Sequence, residues 1–360
     1  IHWHMNIANE ITYVTSDKTR ETIPYVHVQD MQGRVTDYMV KDAPLTKAQI
    51  ETLPRRRMDC VDCHNRPTHT YELPDPAVNK AMSHGDIAAD LPFVKKKALE
   101  ILKNLDGLEI EVDTARKVGT LWLNRPPLNV VSYRGRYQIN AIMEAFSADP
   151  DVRVIVIRGR NDVYTSGGDV KAFPDIELDG MSDLAWNIAS PSRSPKPVVC
   201  LLEKYAMGVG FELAMACDIR LATKGTLLAL PEVTLGQIPG SGGSQRVARI
   251  AGLTRAADMM MLGRRVPAEE AFTWGLVTRV AEDKAGLEKV LDEVIAQLTS
   301  MSPMALKTIK RVLNTSYDTS LSVGFEVEGH AYEKLRETED YKEGIKAFSE
   351  RRKPKFKTSL

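Results

Sequence analysis

The sequence predicts an α/β domain followed by a helical region, with a segment of irregular structure in front of both. Short β-branched runs at residues 118–124, 152–159 and 196–202 predict strands, and the spacing of apolar residues at 133–146 predicts a helix between the first two. Strand, helix and strand joined by right-handed crossovers form an α/β unit. From Gly252 onward the pattern is almost wholly helical. The first part is interrupted by Pro24, Pro44, Pro54, Pro67, Pro74, Pro76 and Pro92.

The composition is that of a soluble globular protein. Of the 360 residues, 43% are hydrophobic and 27% are charged. The 48 basic residues balance the 48 acidic ones, so the overall charge does not favour a nucleic-acid or acidic-lipid partner. No apolar run is long enough to predict a membrane span. The first residues contain no basic-then-apolar leader, so no export signal is expected in this chain.

Histidine is unevenly distributed and marks a change of domain. Only His330 lies in the later part, and six of the seven histidines lie in the first quarter. The change predicts a boundary near Asp106-Gly107, which divides the chain into residues 1–105 and 106–360. The first part offers helical candidates only at 77–82 and 92–102, and such a segment needs an added staple to fold alone. The early histidines are His2, His4, His27, His64, His69 and His84.

The helical region is predicted to contain six helices. Cys200 and Cys217 lie in apolar sequence before this region and are predicted to be small core residues without a disulfide. The predicted helices span residues 255–262, 267–274, 286–300, 303–314, 321–336 and 340–350.

Four local features in the second part are typical of a catalytic site. Residues 164–170 form a turn of small residues after a strand, which brings backbone N–H groups close to a ligand. In residues 206–218, glycines open a helix whose first N–H groups are free. The third feature is Leu230-Pro231-Glu232, and the fourth is the glycine-rich stretch at 236–246. Each feature alone is weak, because most glycine turns are only turns and most single glutamates are solvated.

In this order and spacing, the features resemble the enoyl-CoA hydratase/isomerase (crotonase) superfamily from about residue 108 to the end. Residues 124–129 read Asn-Arg-Pro-Pro-Leu-Asn and are similar to its opening stretch. Residues 166–169 are similar to its first oxyanion loop and residues 208–218 to its second. Residues 339–354 are similar to its last helix and basic tail. The resemblance implies a ββα superhelix with a helical C-terminal trimerisation region.

The resemblance also implies a mechanism, the hydration of a 2-enoyl-CoA to a 3-hydroxyacyl-CoA. The N–H groups of Gly168 and Val209 would stabilise the negative charge that develops on the thioester oxygen. Glu232 would be the principal acid/base, and Glu212 would hold the water. Two carboxyl groups close together and sheltered from solvent oppose each other's ionisation, so one can stay protonated near neutral pH. Isomerase, hydrolase and other lyase reactions of the same scaffold remain open alternatives.

The resemblance further implies a set of substrate contacts and an assembly. Coenzyme A is part of the substrate, no cofactor is needed for catalysis, and the enzyme part is expected in the cytoplasm as a homotrimer or a dimer of trimers. Position 209 is valine in this chain and glycine in most of the family. The backbone N–H group is retained, and the branched side chain is expected to narrow the acyl pocket. Lys171 is equally a candidate for binding the CoA phosphates and a solvated surface lysine. The substrate-binding residues implied are Pro127, Leu128, Ser166, Gly167, Asp169, Val170, Lys171, Gly208, Pro231 and Gly240.

The first part carries a different motif. Cys60, Cys63 and His64 have the spacing that attaches a c-type haem, with His64 as the iron ligand. A zinc site would need a second Cys or His pair at suitable spacing. With its neighbours, this stretch resembles a fragment of a periplasmic multihaem c-type cytochrome. The sixth iron ligand is left open among His27, His69, His84 and Met58.

The two parts point to different compartments. Haem c is attached outside the cytoplasm, whereas acyl-CoA substrates occur inside it. A complete enzyme joined to an incomplete cytochrome fragment explains both parts, and a working fusion that transfers electrons is the alternative. The enzyme is the favoured function because its loops and acids are all present in order.

Overall fold

The structure is a computed structural model of the chain, and it describes residues 10–14, 24–29, 35–39, 46–52, 56–57, 105–175 and 182–356. Two compact units are formed, Ile1–Leu91 and Pro92–Leu360. The boundary expected near Asp106-Gly107 stays a prediction, because residues 92–104 lie outside the described part.

The first unit contains a four-stranded antiparallel sheet, in which the strands lie in the order Val35–Met39, Tyr25–Gln29, Glu10–Val14 and Arg56–Arg57. The expectation of irregular structure is therefore wrong for these residues. The prediction rested on the prolines and overlooked short runs such as Tyr25-Val-His-Val-Gln, whose aromatic and β-branched residues favour a strand. The candidate helices at 77–82 and 92–102 lie outside the described residues. The elements are β1 Glu10–Val14, β2 Tyr25–Gln29, β3 Val35–Met39, α1 Lys47–Thr52 and β4 Arg56–Arg57.

The second unit contains a six-stranded sheet. Its strands are β5 Leu108–Asp113, β6 Val118–Leu123, β7 Val154–Gly159, β8 Val198–Leu202, β10 Ile219–Thr223 and β13 Arg279–Ala281. The order is β13-β10-β8-β7-β6-β5, and only the β5–β6 pair is antiparallel. The central strands β7 and β8 are buried along their whole length, as expected for a parallel sheet covered on both faces. The three strands predicted from the sequence are confirmed.

A smaller sheet lies beside the chain segment that carries the second glycine loop. It has the order β12-β11-β9, and its β9–β11 pair is parallel. Its strands are β9 Tyr205–Met207, β11 Leu227–Ala229 and β12 Val266–Pro267.

Helices are numerous in the second unit, and the six predicted after residue 252 are confirmed with small shifts at their ends. Side-chain caps begin several of them: Asp283 accepts the N–H of Gly286, and Ser302 accepts that of Ala305. None of the described helices is long and apolar enough to cross a membrane. The helices are α2 Tyr133–Ala148, α3 Ser182–Ile188, α4 Ser190–Arg193, α5 Val209–Met215, α6 Gly243–Ala251, α7 Leu253–Met261, α8 Ala268–Thr273, α9 Lys284–Ser300, α10 Pro303–Thr315, α11 Leu321–Arg336 and α12 Glu339–Ser349.

The large sheet separates two hydrophobic cores because successive strand residues point to opposite faces. In β7, Ile155 packs in the core that includes Ile139 of α2. Its neighbour Val154 packs in the core that includes Leu287 and Leu291 of α9. Helices thus cover both faces of the sheet, and this packing fixes the ends of β7 and β8, where the candidate site begins.

Cys200 and Cys217 are buried in the first of these cores and carry free thiols, as the sequence predicted.

Candidate active site

The first glycine loop follows β7 and is held by neighbouring backbone and by one buried side chain. Val131 donates its N–H to the Gly167 carbonyl at 2.9 Å, and Asp169 donates its N–H to the Val131 carbonyl at 3.2 Å. The Asn129 amide donates to the carbonyls of Arg160 at 2.8 Å and Val163 at 2.6 Å. The loop is therefore fixed on both sides. Asn129 was recognised only as part of the opening stretch, and its positioning role was missed.

The second glycine loop joins β9 to α5 and lies beside the first. Thr165 donates its N–H to the Tyr205 carbonyl at 3.0 Å, and the Met207 N–H donates to the Thr165 carbonyl at 3.3 Å. Gly208 has φ 51° and ψ −131°, a backbone conformation that L side chains rarely adopt. A Cβ at Gly208 would lie 3.9 Å from the Cα of Gly167. The turns of the two loops are thus adjacent.

Gly168 and Val209 contribute the two N–H groups expected to form the oxyanion hole. Neither N–H donates to a backbone carbonyl in the described part of the chain. The Val209 side chain is 4% exposed and packs in the large core. Its expected narrowing of an acyl pocket therefore finds no support in this placement.

Glu212 lies on α5 and is held from one side by the fourth glycine feature. Its side chain is 2% exposed, and Oε1 accepts the N–H groups of Ser241 at 2.7 Å and Gly243 at 2.8 Å. Burial raises the pKa of Glu212, while these two backbone donors and the charge of Arg136 act to lower it. The sequence assigned only Gly240 of this stretch to the site, so it missed Ser241 and Gly243.

Glu232 has a different environment at the start of the 3₁₀ turn Glu232–Leu235. Its Oε1 would lie 3.2 Å from a Cβ at Gly208, so the carboxyl group is next to the second loop. Its Oε2 is buried and has no hydrogen-bond partner among the described residues. Burial, reinforced by the charge of Glu212, raises the pKa of Glu232 to about 7 against the opposing effects of its own N–H and of Arg136. The two predicted acids are therefore electrostatically coupled.

Arg136 is a third ionisable group at this place, and sequence reasoning missed it. It lies on α2, is 6% exposed, and its charge interacts with both Glu212 and Glu232. A Cβ at Gly168 would be 3.3 Å from its Nη2. A signal existed, because Arg136 occupies the same helical stripe as the buried Ile139 and Met143.

The remaining residues that were predicted to bind substrate differ in exposure. Leu128 accepts the Ser166 N–H through its carbonyl at 3.0 Å, which brings the opening stretch to the first loop. Asp169 is 3.0 Å from Arg125 in an ion pair. Lys171 is exposed and lies on the 3₁₀ turn Val170–Asp175. The other exposed residues of this set are Pro127, Leu128, Val170 and Gly240. Pro231 is half-buried, and Gly167 and Gly208 are buried.

The predicted haem residues Cys60, Cys63 and His64 lie outside the described residues, as do Met58, His69 and His84. His27 is described in β2, where its Nδ1 lies 2.7 Å from Asp37 Oδ1. Within the described part of the chain, no group of three or more His, Cys, Asp or Glu side chains is placed to hold a metal ion.

The sequence model of the enoyl-CoA hydratase/isomerase family matches residues 113–359. The chain belongs to this family. It is 36% identical over 249 residues to a probable enoyl-CoA hydratase of Rhizobium meliloti, covering 68% of this chain and 96% of that protein. It is 33% identical over 252 residues to the 2,3-dehydroadipyl-CoA hydratase of Escherichia coli, covering 69% of this chain and 98% of that protein.

Solved structures agree with this membership. The crystal structure of an enoyl-CoA hydratase from Bacillus anthracis matches with a TM-score of 0.66 at 30% identity, covering 70% of this chain and 99% of that one. The predicted crotonase-like α/β fold with C-terminal helices is thereby confirmed. The resemblance of residues 1–105 to a cytochrome fragment stays a prediction.

Proposed function

We propose that this family member adds water to a 2-enoyl-CoA thioester and forms a 3-hydroxyacyl-CoA. The observation that carries the proposal is a pair of coupled carboxyl groups, Glu212 and Glu232, where two glycine loops lie side by side. Hydration needs a group that orients water and a group that transfers a proton to carbon, and this pair supplies both.

The backbone supplies the electrostatic part of the reaction. Addition of water at the β-carbon moves negative charge onto the thioester oxygen. The N–H groups of Gly168 and Val209 are fixed before substrate binds, because the loops are tied to Val131, Thr165 and Tyr205. Donors that need no reorganisation stabilise this charge most effectively.

The carboxyl groups supply the protons. Glu212 is oriented through the N–H groups of Ser241 and Gly243, which leaves its second oxygen to accept a hydrogen bond from water. Glu232, with its pKa near 7, carries a proton that it delivers to the α-carbon. The attacking water gives a proton to the pair, so the pair holds as many protons after the reaction as before it.

Exposed apolar side chains on α10, α11 and α12 support the proposed homotrimer or dimer of trimers. Large apolar side chains with high exposure on neighbouring helices are compatible with a subunit contact. The side chains with the largest exposure are Leu313 at 61%, Leu321 at 73%, Phe325 at 63%, Tyr332 at 60% and Phe348 at 86%.

The proposal is tested by incubating the purified chain with 2-enoyl-CoA and 3-enoyl-CoA thioesters in ¹⁸O-labelled water. Hydration incorporates the label into a 3-hydroxyacyl-CoA, whereas isomerisation moves the double bond without it. Label in the 3-hydroxyl group of the product from the 2-enoyl substrates supports the hydratase. Double-bond migration alone would favour the isomerase, which needs only one of the two acids.

A further inference from the structure

We propose that Arg136 makes this enzyme selective for 2-enoyl-CoA thioesters whose acyl group carries a free carboxylate at its far end. The inference rests on the proposed function and names the class of its substrate. The guanidinium would bind this carboxylate while the thioester oxygen lies at the N–H groups of Gly168 and Val209.

The first observation is a buried cation that forms no salt bridge with the described residues, although its charge interacts with Glu212 and Glu232 at longer range. Arg136 is only 6% exposed, and its Nε is buried without a hydrogen-bond partner in the described part of the chain. No carboxylate of the described residues lies within salt-bridge distance of it. Other buried cations here are well bonded: Lys310 donates to the Pro191 carbonyl at 2.7 Å and to the Asp218 carboxylate at 2.8 Å. Buried charges are normally paired, so Arg136 is an exception that calls for a ligand.

The second observation is that the position itself disfavours a cation. Arg136 is in the first turn of α2, where unpaired N–H groups make the helix end positive and repel a positive side chain. It also begins the stripe that continues with the buried residues Ile139 and Met143, a face of the helix on which apolar side chains are usual. A cation is therefore disfavoured at this position, which favours a functional reason for it.

The third observation is where the guanidinium lies. A Cβ at Gly168 would meet Nη2 of Arg136 at 3.3 Å and the Phe173 ring at 3.0 Å. Arg136 is therefore next to the first oxyanion loop and within electrostatic range of both acids. This is the reacting end of the site, so an anion that binds here belongs to the acyl group.

The chemistry of arginine selects a carboxylate. Its planar fork donates two parallel N–H groups, which match the two oxygens of a carboxylate. A neutral carbonyl or hydroxyl oxygen would satisfy one donor and leave the buried charge uncompensated. A methyl-ended acyl chain would offer the guanidinium no hydrogen-bond acceptor.

The test compares 2-enoyl-CoA thioesters of equal chain length that end in a carboxylate or in a methyl group. The wild-type chain is expected to prefer the carboxylate. Arg136→Met should reduce kcat/KM for the carboxylate-ended thioesters by about 10²-fold or more, the scale on which a site built for a polar group discriminates. Activity with the methyl-ended partners should fall less, because they lose only the effect of the Arg136 charge on Glu212 and Glu232. Arg136→Lys keeps the positive charge but loses the planar guanidinium. Its kcat/KM for the carboxylate-ended thioesters should lie between the values of the wild type and of Arg136→Met.

Two further readouts do not depend on turnover. The melting temperature of Arg136→Met should rise, because an unpaired buried charge has been removed; a structural arginine would give a fall. Calorimetry with a saturated ω-carboxyacyl-CoA, which cannot react, should show about 10²-fold weaker binding to Arg136→Met than to the wild type. If the wild type hydrates no thioester, the proposed function fails, and the binding comparison still tests Arg136.

Three results would overturn the inference. One is a wild type that prefers the methyl-ended thioesters. Another is an equal loss on both series in Arg136→Met, with a shifted pH profile, since Arg136 would then act through the acids. The third is unchanged binding of the saturated ω-carboxyacyl-CoA by both Arg136 variants.

Discussion

Glu212 and Glu232 belong to the same site, but their surroundings are built differently. Glu212 is enclosed in the core, and two backbone N–H groups of one loop fix its Oε1. Glu232 starts a short 3₁₀ turn and has a buried oxygen with no partner among the described residues. Hydrogen bonds to a carboxylate fix its orientation and favour its ionised form. A carboxyl group without them is free to exchange a proton. This difference supports the roles that we propose, positioning for Glu212 and proton transfer for Glu232.

Removing the proton-transfer group should have the largest effect. Glu232→Gln should lower kcat for hydration by about 10²–10⁴-fold, the usual contribution of a general acid or base. The fold should be unchanged, since the carboxyl group makes few contacts, and the melting temperature checks this. Turnover at the wild-type rate would show that Glu232 has been misassigned.

Removing one oxyanion donor should come next. Gly168→Pro eliminates the N–H and should lower kcat by about 10²–10³-fold, or about 3–4 kcal/mol in the transition state. Gly168→Ala is the matched control: it keeps the N–H, and its Cβ meets only the ends of the Phe173 and Arg136 side chains. An active Gly168→Pro enzyme would show that the first loop does not bind the thioester oxygen.

Loosening the support of Glu212 should have a smaller effect. A Cβ at Gly243 would lie 2.9 Å from Leu230 Cδ1 and 3.0 Å from Glu212 Oε1, so Gly243→Ala must displace the carboxylate or the loop. We expect kcat to fall by about 10- to 10²-fold, because small misplacements of a positioned group are costly. Gly329→Ala makes the same change in a helix with nothing within 4 Å and should leave kcat unaltered. Equal activity of the two variants would argue against the positioning role.

Removing the first part of the chain should have the smallest effect. The family match begins at residue 113, so a chain without residues 1–105 keeps all the residues of the candidate site. Its kcat and KM should stay within a few-fold of the full chain, as expected for a unit with its own core. A truncated chain without activity, together with covalently bound haem in the full chain, would favour a working fusion instead.

The sequence predicted features whose signal is local. The β-branched runs of β6, β7 and β8 fold as strands because a buried parallel strand needs little more than such a run. Glu212 and Glu232 were assigned through the family resemblance of the glycine and proline turns that they follow, and their catalytic roles stay a prediction. The first unit's strands were missed because each is short and prolines dominate the composition around them.

Contacts between distant positions left no such signal. Ser241 and Gly243 reach Glu212 only after α5 and α6 have packed together, and nothing in the local sequence connects them. Arg136 was missed because α2 was recognised by its periodicity alone, without asking why an arginine occupies its buried stripe. Val209 was expected to narrow the acyl pocket; its side chain packs in the large core, and the expectation stays a prediction.

The division of roles between the two acids is tested most directly by the pH dependence of kcat/KM in both directions. Burial and the charge of Glu212 raise the pKa of Glu232 to about 7, so Glu232 keeps its proton below that pH and loses it above. Hydration releases no net proton, so hydration and dehydration need the same singly protonated pair. We predict that kcat/KM falls above pH about 7 in parallel for the two directions. This fall should be absent from the residual activity of Glu232→Gln. A wild-type kcat/KM that stays constant or rises above pH about 7 would contradict the proton-transfer role proposed for Glu232.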